Sequence, residues 1–134
     1  MALSPNTLYY YKVAAFNANG EAYSAAVSTY SRAASPTTQN FSQVLTNSMK
    51  ANWGINGNPA GAVYVCELST MPGFVPLAAS SSTLAANALF SGLAANVVYY
   101  AQVKAVNGSG VATNYTALGS TQTIPLSITI AAYD

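Results

Sequence analysis

The feature that most limits what this chain can fold into is a long-period internal repeat. LSPNTLYYYKVAAFNANGEA, from Leu3, and LAANVVYYAQVKAVNGSGVA, from Leu93, align without a gap at an offset of 90 residues. Leu3/Leu93, Asn6/Asn96, Tyr9/Tyr99, Tyr10/Tyr100, Val13/Val103, Ala15/Ala105, Asn17/Asn107, Gly20/Gly110 and Ala22/Ala112 coincide. A period of this length exceeds the roughly 20–50 residues of a solenoid repeat and suits a tandem array of small domains. Residues 1–32 then read as the C-terminal strands of one unit, 33–125 as a complete unit, and 126–134 as the start of a following segment. Ser35-Pro36 and Ile124-Pro125 stand as equivalent junctions.

Inside the complete unit the apolar residues recur every second position, the period of a strand with one buried face. Met49, Ala51 and Trp53 alternate with Lys50 and Asn52, and Tyr64, Cys66 and Leu68 alternate with Val65 and Glu67. The first set of each pair is therefore the inner one. Residues 54–61 (GINGNPAG) and Met71-Pro72-Gly73 supply turn chemistry. The Ala-rich stretch 84–89 has helix propensity, but Leu84, Ala86, Ala88 and Phe90 also fit a strand. Leu126, Ile128 and Ile130 alternate with Ser127 and Thr129 and read as one more.

Short strands spaced by turns over about 90 residues indicate an all-β, antiparallel sandwich. Pro36, Ser48 to Trp53, Tyr64-Val65-Cys66, Phe90-Ser91-Gly92-Leu93, Tyr99 six residues after that leucine, and the run to Asn107 and Gly110 together resemble an immunoglobulin-like fibronectin type III domain. The resemblance covers residues 36–123, and residues 3–32 resemble the last two strands of a preceding copy. One departure is Ala95 where the first copy has Pro5. The resemblance implies a structural core of Trp53, Tyr64, Cys66, Phe90, Leu93, Tyr99 and Val103. It also implies that Tyr99 is a corner tyrosine, its ring buried and its hydroxyl bonded to backbone near Leu93.

Composition narrows the chemistry. Charged residues make up 5% of the chain and His is absent. Without His there is no serine or cysteine triad, and Glu21, Glu67 and Asp134 are too scattered to cage a cation. No catalytic, cofactor-binding or metal-binding residues are expected. Cys66 has no second cysteine to pair with and reads as a buried hydrophobe. A net charge of +1 offers nucleic acid no electrostatic footprint. No apolar run approaches the roughly 20 residues of a membrane span, so membrane insertion is not expected either. The glycines lack a following helix that would aim amides at a phosphate. There is no basic-then-apolar leader and no Arg-Gly-Asp tripeptide.

The remaining question concerns LYYYKVAAFNANG at residues 8–20. Strand alternation, carried across from the second copy, turns Tyr9, Tyr11, Val13 and Ala15 inward and leaves Tyr10 and Phe16, with Tyr100, as the candidate contact surface. The expected function is a non-enzymatic structural or spacer module of an extracellular or cell-surface multi-repeat protein. Its partners would be neighbouring repeats or copies of itself, through β-strand or face packing. The alternatives are a protein- or glycan-binding module and a passive linker domain of a secreted polysaccharide-degrading enzyme.

Overall fold

Every regular element of the computed structural model, which describes residues 2–132, is a strand, and every pairing is antiparallel. The tyrosine run opens a long, interrupted hairpin. Strand β1 (Leu8–Tyr11) pairs with β4 (Val27–Tyr30), and β2 (Ala14–Asn17) pairs with β3 (Gly20–Tyr23). Between the two ladders Ser24 bridges the gap, its Oγ accepting the Val13 N–H at 3.0 Å while its own N–H donates to the Val13 carbonyl at 2.8 Å.

The remaining strands close a sandwich. Strands β5 (Thr37–Thr38), β6 (Ser48–Gly54) and β9 (Asn87–Ser91) form one sheet in the order β5-β6-β9. Strands β7 (Val63–Ser69), β8 (Ala79–Thr83), β10 (Val98–Val106) and β11 (Thr116–Gln122) form the other in the order β11-β10-β7-β8. The two-residue period of the sequence becomes the two faces of each sheet. Met49, Ala51 and Trp53 on β6 and Ala88 and Phe90 on β9 meet Tyr64, Cys66 and Leu68 on β7 and Tyr99, Ala101, Val103 and Ala105 on β10, all buried. At the centre the Trp53 and Tyr64 rings pack at a tilt, 5.7 Å between centroids. Opposite the Ala101–Gln102 step the β10–β11 register shifts, leaving an extra residue at Leu118, whose side chain enters the core. Gly119 takes the positive φ (+92°) that this bulge imposes.

Three local expectations are corrected. The run 8–17 is two short strands rather than one, and of its inward set only Tyr9 is even half-buried. Tyr11 is 56% exposed, and Val13 and Ala15 lie open. Alternation assigns a face, but burial needs a second sheet over that face, and among the described residues none covers the hairpin. Residues 126–130 form no strand, since no neighbouring edge takes their backbone bonds, and Ile128 is 87% exposed. In the Ala-rich stretch the strand begins only at Asn87, leaving Leu84 in a bend and exposed. The end of segment 126–134 and Asp134 fall outside the described residues.

Candidate functional site

The repeat in the sequence becomes a repeated piece of geometry. Tyr99 reaches back so that its hydroxyl accepts the Ala94 N–H at 3.1 Å, and Tyr9 does the same with the Ser4 N–H at 2.8 Å. A second hydroxyl locks each corner. Thr123 Oγ1 donates to the Ala94 carbonyl (2.7 Å) and accepts the Val97 N–H (3.0 Å); Ser31 Oγ donates to the Ser4 carbonyl (2.7 Å) and accepts the Thr7 N–H (3.0 Å). Strand register is copied as well: Val98 to Ala101 pair with Gln122 to Gly119 as Leu8 to Tyr11 pair with Tyr30 to Val27. Asn6 and Asn96 both bend the chain with positive φ, 42° and 60°. The hydroxyl partners are offset by 92 residues rather than 90, so a gap-free alignment passes over the Ser31/Thr123 match.

The first corner is docked against the sandwich. The Gly108 N–H donates to Asn6 Oδ1 at 2.8 Å, and Asn107 Nδ2 donates to the Ser31 carbonyl at 3.1 Å. The Tyr30 ring lies so close over Gly108 that a Cβ there would overlap it. Asn58 clasps the connecting segment, accepting from the Ala34 N–H and donating to the Ala34 carbonyl, both at 2.8 Å, while Asn56 Nδ2 donates to the Ser35 carbonyl at 2.9 Å. These contacts leave Asn6 only 8% exposed. A cavity of about 170 Å³ remains beside them, lined among others by Tyr30, Pro59, Val63 and Val106. The residues of this junction are ones that strand alternation does not single out. Asn6 was visible only as a match in the repeat, and Asn107 as a match in the repeat and in the family resemblance.

Outside the junction, polar chemistry concentrates at Glu67 on the outer face of β7. Its carboxylate accepts from the Tyr115 hydroxyl at 2.6 Å and from Gln102 Nε2 at 2.8 Å, while Lys104 Nζ sits 4.5 Å from the Tyr115 ring centroid. Partial burial and the bond to Glu67 raise the Tyr115 phenol above its ordinary range. The hairpin carries a similar trio, with Lys12 Nζ 4.0 Å from the Tyr23 ring centroid and the Tyr23 hydroxyl on Glu21 at 2.6 Å. Both are satisfied structural clusters. Among the described residues no three metal-ligating side chains gather, and no helix is long and apolar enough to cross a membrane. A groove of about 260 Å³ runs between the connecting segment at Arg32–Ser35 and the segment Val111–Asn114, without any cluster of titratable groups.

No protein-family model matches the sequence, and neither does any curated protein. Solved structures do. The fn3 domain of human collagen alpha-1(XX) chain superposes with a TM-score of 0.59 at 16% identity, covering 74% of this chain and 92% of that one. The FN1-FN3 domains of chicken CNTN1 match at 0.52 and 18%, covering 92% of this chain and 45% of theirs. Domains d3-d4 of the rat CD45 extracellular region match at 0.50 and 17%, covering 87% and 66%. The fold is that of a fibronectin type III domain. Within this fibronectin type III sandwich, Trp53, Tyr64, Cys66, Phe90, Tyr99 and Val103 are buried, and Leu93 is half-buried against the same core. Burial, with the Glu67 charge adding to it, pushes the Cys66 thiol up to about 12. Tyr10 and Phe16 stand out from the hairpin, 72% and 82% exposed, whereas Tyr100 is half-buried beside its strand neighbours. Tyr10 and Phe16 belong to the hairpin, and Tyr100 to the sandwich sheet.

Proposed function

We propose that this chain is a portion of a tandem array of fibronectin type III units with a structural, non-enzymatic role in an extracellular or cell-surface protein, spacing or presenting other parts. In this reading residues 1–32 are the closing strands of one unit, 33–125 the next unit, and 126–134 the entry to a third. The observation that carries it is the duplicated corner, since the first copy is seated on the second unit through Asn6, Tyr30 and Ser31. Backbone and amide bonds at such a seat hold successive units at one angle, which is what a spacer requires and a flexible linker does not supply. The extracellular part of the reading is supported by the rat CD45 extracellular region among the structural neighbours.

The rival reading, a glycan- or protein-binding module, draws on the exposed hairpin aromatics. Tyr10 and Tyr11 are successive residues of β1 and point to opposite faces. A ligand platform gathers its rings on one face, so this arrangement fits a sandwich half awaiting its other sheet better. Backbone 15N relaxation on the whole chain tests the spacer reading. Hairpin and sandwich amides are expected to report one common tumbling time; a separately tumbling hairpin defeats it.

A further inference from the structure

Three Asn-Gly steps occur in the chain, at 19–20, 56–57 and 107–108. Such a step carries its own chemistry, because glycine leaves its backbone nitrogen open to close approach. That nitrogen attacks Cγ of the preceding asparagine, the Cγ–Nδ2 bond breaks, and the nitrogen's proton leaves with Nδ2 as ammonia. Water then opens the resulting succinimide to aspartate or, with a methylene added to the main chain, to isoaspartate. The fold sets the three steps in different surroundings. Asn19 lies in the turn between β2 and β3, where every residue from Ala14 to Tyr23 is exposed. Asn56 is exposed too and is restrained at one atom, Nδ2 on the Ser35 carbonyl at 2.9 Å.

Asn107 is both primed and restrained. Its Oδ1 accepts the Ser109 N–H at 3.1 Å and the Val111 N–H at 2.8 Å. Two donors on that oxygen draw charge from Cγ, the atom to be attacked, and support the oxyanion formed there. The restraints come from the first corner. Asn6 Oδ1 holds the Gly108 N–H at 2.8 Å, the Ser31 carbonyl holds Asn107 Nδ2 at 3.1 Å, and the Tyr30 ring covers Gly108. Nucleophile and leaving group are thus each tied to that corner, and Asn107 is only 7% exposed. The priming bonds lie inside the turn, whereas the restraining bonds cross to the corner, so undocking removes only the second set.

We propose that Asn107-Gly108 is a self-modifying site kept unreactive by the seated corner. When the seat stays open, Asn107 converts to aspartate or isoaspartate and the seat does not re-form. An aspartate at this position still offers an oxygen to the Ser109 and Val111 N–H groups, but it turns a second acceptor toward the Ser31 carbonyl, where Nδ2 had donated. Isoaspartate lengthens the main chain and displaces Gly108 from beneath Tyr30. A reversible contact thereby acquires an irreversible exit. The inference rests on the seat that carries the spacer reading and goes beyond that reading to the seat's own chemistry.

The test is to incubate the whole chain at mildly alkaline pH, folded and in urea, and to follow each Asn-Gly step by peptide mass spectrometry. Asn107 is expected to convert at least about tenfold more slowly folded than unfolded, while Asn19 keeps its unfolded rate to within about threefold. Asn6→Gly removes Oδ1 and suits the positive φ (42°), and Tyr30→Ala uncovers Gly108. Each should speed Asn107 at least about tenfold in the folded chain and leave Asn19 unchanged. Backbone 15N relaxation of Asn107→Asp should show the hairpin tumbling apart from an intact sandwich. Equal protection of Asn19 and Asn107, an Asn107 rate that neither variant changes, or a hairpin still seated in Asn107→Asp overturns the proposal. Common tumbling of hairpin and sandwich in the native chain reads the spacer proposal separately: if it holds while Asn107 converts at its unfolded rate, only this inference falls.

Discussion

Tyr64 and Tyr99 are neighbours in one core, yet their hydroxyls lead different lives. Tyr99 Oη accepts a backbone N–H, whereas the buried Tyr64 Oη has no partner among the described residues. An unpaired buried hydroxyl costs free energy that a paired one does not. Tyr99→Phe is therefore expected to lower stability by about 1 kcal/mol, and Tyr64→Phe to leave it equal or higher; urea unfolding of both variants reads the contrast. Cys66 supplies the pH dependence. Its folded thiol titrates near 12 against an ordinary 9.0. Between those values the unfolded chain has released a proton that the folded chain still holds. The stabilising contribution is complete below pH 9 and is lost as pH rises toward 12. Tyr115, also raised, steepens the same decline. Urea midpoints across that window should fall for the native chain and fall less steeply for Cys66→Ala. A native thiol that reacts with a maleimide at pH 8 as fast as the unfolded chain would contradict this account.

Among elements, sandwich strands β6, β7 and β10 were readable from alternation, because each has a facing sheet that turns sidedness into burial. Met49, Ala51 and Trp53 came out as read. The hairpin and residues 126–130 carry the same alternation without a facing sheet, so Tyr11 and Val13 remain in water and Leu126–Ile130 never becomes a strand. The junction is a different case. Its contacts are made by Asn, Gly and Ser in turns, where residue type reports backbone geometry and says nothing of what lies opposite. Gly108 is the sharpest example, being small because Tyr30 occupies the space. Gly108→Ala should therefore release the seat without harming the sandwich. Amide exchange at position 108 is expected to speed by about tenfold or more, while the sandwich unfolding midpoint shifts by less than about 0.5 kcal/mol. An unchanged exchange rate would mean that Tyr30 moves aside at no cost.

At the scale of the whole molecule, stability rests on apolar burial between two sheets and on neutral hydrogen bonds, with four basic and three acidic residues in the entire chain. Screening has little to act on. The melting temperature is expected to move by less than about 2 °C between low and roughly 0.5 M sodium chloride, and a larger shift in a calorimetric scan would point to charge contacts outside those described. The same scarcity of charge removes the like-sign repulsion that keeps many domains apart, which suits a molecule whose surfaces meet through backbone and amide groups.

By itself the sequence determined the strand period, the inner faces of β6, β7 and β10, the 90-residue repeat and the absence of histidine chemistry. All of these depend on residue type and spacing along the chain. Only the tertiary structure decided which alternating faces are buried, that Ser31 and Thr123 lock equivalent corners, and that Asn6 meets Gly108 across a separation of 102 residues. Those outcomes turn on what stands opposite a residue in space, and a hydrogen bond between two loops leaves no period in the sequence to mark it.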